Sequence, residues 1–140
     1  MKGNFYVKEE TLRIIIAGGR DFKDYDVLKQ SCIKILKELH NESAFFKQSL
    51  EIVSGTASGA DKFGEVFAET YKLKLSRFPA KWDVHGKSAG YIRNKEMAEY
   101  ASQDDILGVL IAFWDGKSKG TKLMIDLAKK YNLRVFVVNY

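Results

Sequence analysis

A single cysteine, Cys32, excludes an internal disulfide framework. One proline, Pro79, in a chain with 11 glycines excludes a proline-rich or low-complexity composition. Two histidines, His40 and His85, with that one cysteine make no metal constellation of recognisable spacing, so no metal is expected. The longest apolar runs, "IIIA" and "VLIAFW", are far too short to span a bilayer, and no membrane association is expected. No signal-peptide pattern opens the sequence, so the cytoplasm is the expected compartment. The net charge is +5, yet there is no dense basic run with interleaved aromatics. The lysines are spread among Glu and Asp along every expected helix. That pattern describes a modestly basic solvated surface, and nucleic acid is not the expected partner.

What the chain does have is alternation. With 140 residues and 46% hydrophobic content it fits one compact domain with a real core. "LRIIIA" (12–17) is a short β-branched run of the kind buried on both faces of a sheet. From Tyr25 to His40 the apolar residues Val27, Leu28, Cys32, Ile35, Leu36 and Leu39 take helical spacing, with Asp24 or Asp26 as N-cap. Strands are expected at 49–54, 73–78, 108–114 and 133–138. Helices are expected from about Ser58, over 91–101 and over 121–131. Strand–helix alternation requires crossovers and hence parallel strands. The expected fold is α/β: a Rossmann-like three-layer α/β/α sandwich with a five-stranded parallel sheet ordered 3-2-1-4-5. Residues 1–11 are expected to be peripheral and 12–140 to form the single domain.

In such sheets ligands bind beyond the carboxyl ends of the strands. The segments leaving those ends are "GGRDF", "SGTASGAD", "PAKWDVHGKSAGYIRN" and "WDGKSKGT". The opposite loops carry no comparable cluster of Gly, Ser, Thr and isolated charges. In "SGTASGAD", Ser54 ends a strand, and Gly55, Ser58 and Gly59 precede a helix. Glycines admit close backbone approach, and a helix N-terminus favours an anion. The alternative is a tight turn capped by Ser58. Asp61, in the first helical turn, would repel a phosphate and suits a neighbouring loop or a ribose hydroxyl better. "DGKSKGT" repeats the logic, with Asp115, Ser118, Gly120 and Thr121 either capping a helix or binding phosphate. Gly19 and Arg20 sit at the centre of the rim, and Arg suits bidentate phosphate recognition unless it pairs with Asp21. Arg93 and Asn94 are placed in a first helical turn, where a cation opposes the dipole. The alternative for Arg93 is pairing with Glu96 or Glu99. Trp82 and His85 could stack on a base, although a loop Trp more often packs over the core edge.

Together "IIIAGGRDF", "VSGTASGADKFGEVFA", "RFPAKWDVHGKSAGYIRNKEMAEYA" and "LIAFWDGKSKGTKLMI" resemble the YspA/YpsA-related branch of the SLOG superfamily, in order and across nearly all of residues 12–138. That superfamily includes the Smf/DprA proteins and the LOG-type phosphoribohydrolases, and the branch occurs in bacteria and phages. The resemblance implies a small phosphorylated nucleotide-like ligand, NAD- or ADP-ribose-like, bound by a sensor, and it implies no cofactor. It also implies a homodimer, since relatives commonly pair through helices flanking the site. LOG enzymes place an Arg-Lys pair before a helix and a P-G-G-x-G-T-x-x-E segment. Here Arg93 matches the Arg while Asn94 stands in place of the Lys, and Gly120 and Thr121 match the G-T without the preceding P-G-G. Met124 occupies the glutamate position, so LOG-type hydrolysis does not carry over. Two alternatives stand beside ligand binding. One is a nucleotide N-glycosidase using Asp61 or Asp115. The other is a DNA-associated protein of the Smf/DprA kind.

Overall fold

The computed structural model describes residues 8–42 and 46–140. Five strands, β1 (Lys8–Gly18), β2 (Phe46–Ser54), β3 (Lys74–Arg77), β4 (Ile106–Trp114) and β5 (Arg134–Asn139), form one sheet in the order β3-β2-β1-β4-β5. Every pairing is parallel, with Ile15 opposite both Val53 and Leu110. The helices are α1 (Tyr25–Glu42), α2 (Ala60–Thr70), the short α3 (Trp82–His85), α4 (Ala89–Ala101) and α5 (Lys119–Lys130). A 3-10 turn at Gly86–Ser88 joins α3 to α4.

Alternation along β1 splits the core in two. Leu12, Ile14 and Ile16 join Leu28, Cys32, Ile35 and Leu39 of α1 and Phe67 of α2 on one face. Ile15 and Ala17 join Met97, Ala98 and Ala101 of α4 and Met124, Leu127 and Ala128 of α5 on the other. Fully burying one such Leu or Ile contributes about 1.5–3 kcal/mol, so the two layers hold the strand ends firmly against the loops that leave them. Cys32 is part of this packing, and burial pushes its thiol up to about 12.

Asp24 caps α1, its Oδ1 accepting the Val27 N–H at 3.1 Å. β3 is shorter than the expected 73–78. Phe78 N–H still reaches Ser54 O at 2.8 Å, but Pro79 has no N–H with which to continue. Residues 8–11, expected outside the domain, extend β1 and pair with β2, while residues 1–7 lie outside those described. No described helix is long and apolar enough to cross a membrane.

Candidate functional site

Strand order reverses between β1 and β4, and the loops leaving the carboxyl ends of the strands meet beside that point. The β1–α1 and β2–α2 loops are locked together. Gly19 O accepts the N–H groups of Phe22 and Ala60, both at 3.2 Å. Gly59 has φ +78°, and a Cβ on it would fall 2.2 Å from Gly19 O. Gly59 is therefore required by the approach of one loop to another, not by a ligand. It also serves as the N-cap of α2, so Ser58 does not cap that helix.

The β2–α2 loop is held from inside by two buried charges. Arg93 donates from Nη1 to Gly55 O and from Nε to Asn94 Oδ1 at 2.8 Å. Asp61 Oδ2 accepts the Ala57 N–H at 3.1 Å. Thr56 N–H is taken by Ser54 Oγ at 3.0 Å, and Ser54 Oγ donates to Glu65 Oε2 at 2.7 Å. The Thr56 and Ala57 amides of this loop are thus engaged by the protein's own oxygens. Ser54 is fully buried beneath the loop and does not reach the cleft.

The cleft above this loop has two lobes. The larger, about 500 Å³, brings together Gly19, Arg20, Asp61, Trp82, Arg93, Asn94, Ser118, Gly120 and Thr121. The smaller, about 320 Å³, contains Gly55 and Ser58, and it shares Arg20, Ala57, Trp82 and Arg93 with its neighbour. Gly59 and Asp115 line neither lobe. Asp115 Oδ1 accepts the N–H groups of Ser118 and Lys117, each at 2.8 Å, and those bonds hold its carboxyl below the usual range. Its work is to shape the turn into α5. Ser118 then caps α5, accepting Thr121 N–H at 3.4 Å. The first turn of α5 is open, and nothing lies within 4 Å of the position a Cβ on Gly120 would take.

Arg93 is 9% exposed and Asn94 is 8% exposed. Among the described residues, Arg93 Nη2 and Asn94 Nδ2 have no hydrogen-bond partner, and neither atom is sealed from solvent. Arg93 does not pair with Glu96 or Glu99. Nor does its position oppose a helix dipole, because α4 starts at Ala89 and Arg93 lies beyond the first turn. Burial lowers its guanidinium from the ordinary value, and the charge of Asp61 works against that. Burial pushes Asp61 up to about 6, opposed by the Ala57 N–H and by Arg93. Arg20 is exposed and makes no ion pair among the described residues, since Asp21 accepts the Tyr140 hydroxyl at 2.7 Å instead. Trp82 is 51% exposed, its ring edge resting near Gly90 rather than over the core. His85 lines neither lobe.

The sequence reading missed Gly90, Tyr91 and Met97 as lining residues. Helical spacing from Arg93 was the available signal: Gly90, Arg93, Asn94 and Met97 fall at i, i+3, i+4 and i+7 of one face. Met124, at the position of the LOG glutamate, also lines the cleft, so no carboxylate is supplied from there. A larger concavity of about 690 Å³ lies at the opposite end of the sheet, away from the carboxyl ends of the strands where the ligand site is expected. It is formed mainly by aliphatic and aromatic side chains such as Ile33, Leu36 and Phe67, and it has no carboxylate in its lining, whereas the rim cleft holds both arginines and aspartates.

The family model described as "YspA, cpYpsA-related SLOG family" matches residues 12–85. The chain belongs to this family. It is also 30% identical over 128 residues to the Gene 61 protein of Mycobacterium phage D29, an alignment covering 88% of this chain and 93% of that relative. Among solved structures, a predicted subunit of tRNA methyltransferase from Methanocaldococcus jannaschii is similar with a TM-score of 0.40 and 14% identity, covering 91% of this chain and 67% of that one. The SLOG segment contains both interlocked loops, with Arg20, Gly55 and Asp61. The helices that supply Arg93 and Thr121 follow it in the chain.

Proposed function

We propose that the rim cleft binds a nucleotide or nucleotide-derived ligand, such as an NAD- or ADP-ribose-like molecule, and that the protein acts as a sensor of it. The observation that carries this reading is Arg93: a buried guanidinium that makes no ion pair among the described residues, with Asp61 acting on it only from beyond ion-pair distance, and with one terminal nitrogen that has no partner among them. A buried cation with no protein anion in contact is matched by an anionic ligand. The phosphate goes to the first turn of α5 rather than to the β2–α2 loop. Gly120 leaves space above that turn, with nothing within 4 Å of the position its Cβ would take, whereas the Thr56 and Ala57 amides of the loop are already engaged. Arg20 closes over it, and half-exposed Trp82 offers a face to the base. Lobes of about 500 and 320 Å³ are in the range of small-ligand sites.

Mass spectrometry of small molecules released from the purified protein tests this directly. The expected result is a phosphorylated nucleoside derivative. A protein that releases none, and binds none of AMP, ADP-ribose or NAD on calorimetric titration, overturns it. N-glycoside hydrolysis is the second reading, and the observation that favours it is Asp61 in the cleft. Chromatography of AMP incubated with the protein decides this, since hydrolysis releases free base and binding alone does not.

A further inference from the structure

We infer that Asp61 accepts the sugar hydroxyls of the bound nucleotide and so makes the site selective for ribose over a sugar lacking its diol. This rests on the nucleotide-binding reading above. Asp61 is 5% exposed and lines the larger lobe. Its Oδ2 is fixed by the Ala57 N–H, while Oδ1 has no partner among the described residues and is not sealed from solvent. A second buried side chain, Asn94, presents an unpartnered Nδ2 to the same lobe. A phosphate against Asp61 would set two anions together in a half-enclosed site. A hydroxyl there donates to the free oxygen in a charge-assisted bond. The sugar therefore belongs at Asp61 and Asn94, with the phosphate at the first turn of α5.

This arrangement has a pH signature. The charged groups acting on Asp61 are Arg93 from α4, Arg20 from the β1–α1 loop and Glu65 one turn along α2. Burial, larger than any of these influences, brings its titration to about pH 6. Only the ionised carboxylate accepts from both hydroxyls without surrendering an oxygen to its own proton. Diol binding thus lowers the bound-state pKa, and by linkage the ribose preference is present above about pH 6 and lost below it. A phosphate at Asp61 would give the opposite slope, because it would favour the protonated acid.

The test is calorimetric titration of the wild-type protein with AMP and with 2′,3′-dideoxy-AMP from about pH 5 to 8. The two probes carry the same phosphate, so its own titration near pH 6 cancels in their affinity ratio. The expected result is AMP bound about ten- to hundredfold more tightly near pH 7.5, with the ratio falling toward one near pH 5. Asp61→Asn, which keeps the shape and an oxygen for Ala57, should show a smaller ratio that does not vary with pH. Equal affinities near pH 7.5, or a ratio that grows as pH falls, overturns the inference while leaving nucleotide binding intact. If neither probe binds but ADP-ribose or NAD does, this placement of the sugar is wrong and the nucleotide-derived reading stands. If nothing in the panel binds, both fall.

Discussion

Replacing Asp61 by Asn should stabilise the ligand-free protein at neutral pH and lose that advantage in acid. The carboxyl lies 5% exposed at the start of α2, and burial raises its pKa from 3.8 to about 6. Below 3.8 both the folded and the unfolded chain carry it protonated, and it is at its least costly in the fold. As pH rises through 6 the folded state must ionise a buried acid, so the stability present in acid is lost. A shift of about two units at 1.36 kcal/mol each sets the cost at about 3 kcal/mol above pH 6. Asn retains an acceptor for the Ala57 N–H and has no proton to lose, so the variant avoids this cost. In a chain of this size about 3 kcal/mol corresponds to a melting shift of roughly 6–12 °C. The assay is urea unfolding of both proteins at several values between about pH 4 and 8, reading the difference between them. Taking the difference cancels Glu51 and Asp115, which shift the other way. Asp115 is held low by the Ser118 and Lys117 amides, and at Glu51 hydrogen bonds from Ser76 and Tyr100 overcome burial. Parallel stability curves for the two proteins would refute the reasoning.

Two glycines at the rim should behave in opposite ways. Gly59→Ala puts a Cβ 2.2 Å from Gly19 O at a φ of +78°, so a melt should show strong destabilisation, several kcal/mol, beyond the usual 1–3 kcal/mol of overpacking. Gly120→Ala meets nothing within 4 Å and replaces a helical glycine, so stability should hold or rise by up to about 1 kcal/mol. The same variant places a methyl where the phosphate is proposed, and calorimetry should show weaker nucleotide binding. Unchanged binding would move the phosphate elsewhere.

The strand order was legible because the apolar runs in β1, β2 and β4 are short and β-branched and alternate with amphipathic helices. The ring of polar and glycine residues at the strand carboxyl ends was legible for the same reason, since topology alone brings those loops together. The division of labour within the ring was not. Gly55 and Gly59 look equivalent in sequence, but Gly59 serves a contact with Gly19, 40 residues away, and Gly55 lies under Arg93. Asp61 and Asp115 are both first-turn or turn carboxylates. Only the closure of Asp61 onto Ala57, across from Arg93, puts it in the cleft, whereas Asp115 folds back on its own loop. The start of α4 was read two residues late because Ala89 and Gly90 carry little helical signal of their own. The preceding turns at 82–88 supply it instead.

Calorimetric titration of wild type and Arg93→Ala with AMP, ADP-ribose and NAD, beside a thermal melt of each protein, bears most directly on the claim that the cleft is built for an anionic nucleotide. Arg93 offers a charge-assisted bond of about 1.5–3 kcal/mol, so wild type should bind at least one of the three and the folded variant should bind it about ten- to hundredfold more weakly. A folded Arg93→Ala protein that binds the same ligand as tightly as wild type would contradict the account and leave Arg93 as an anchor for Gly55 alone.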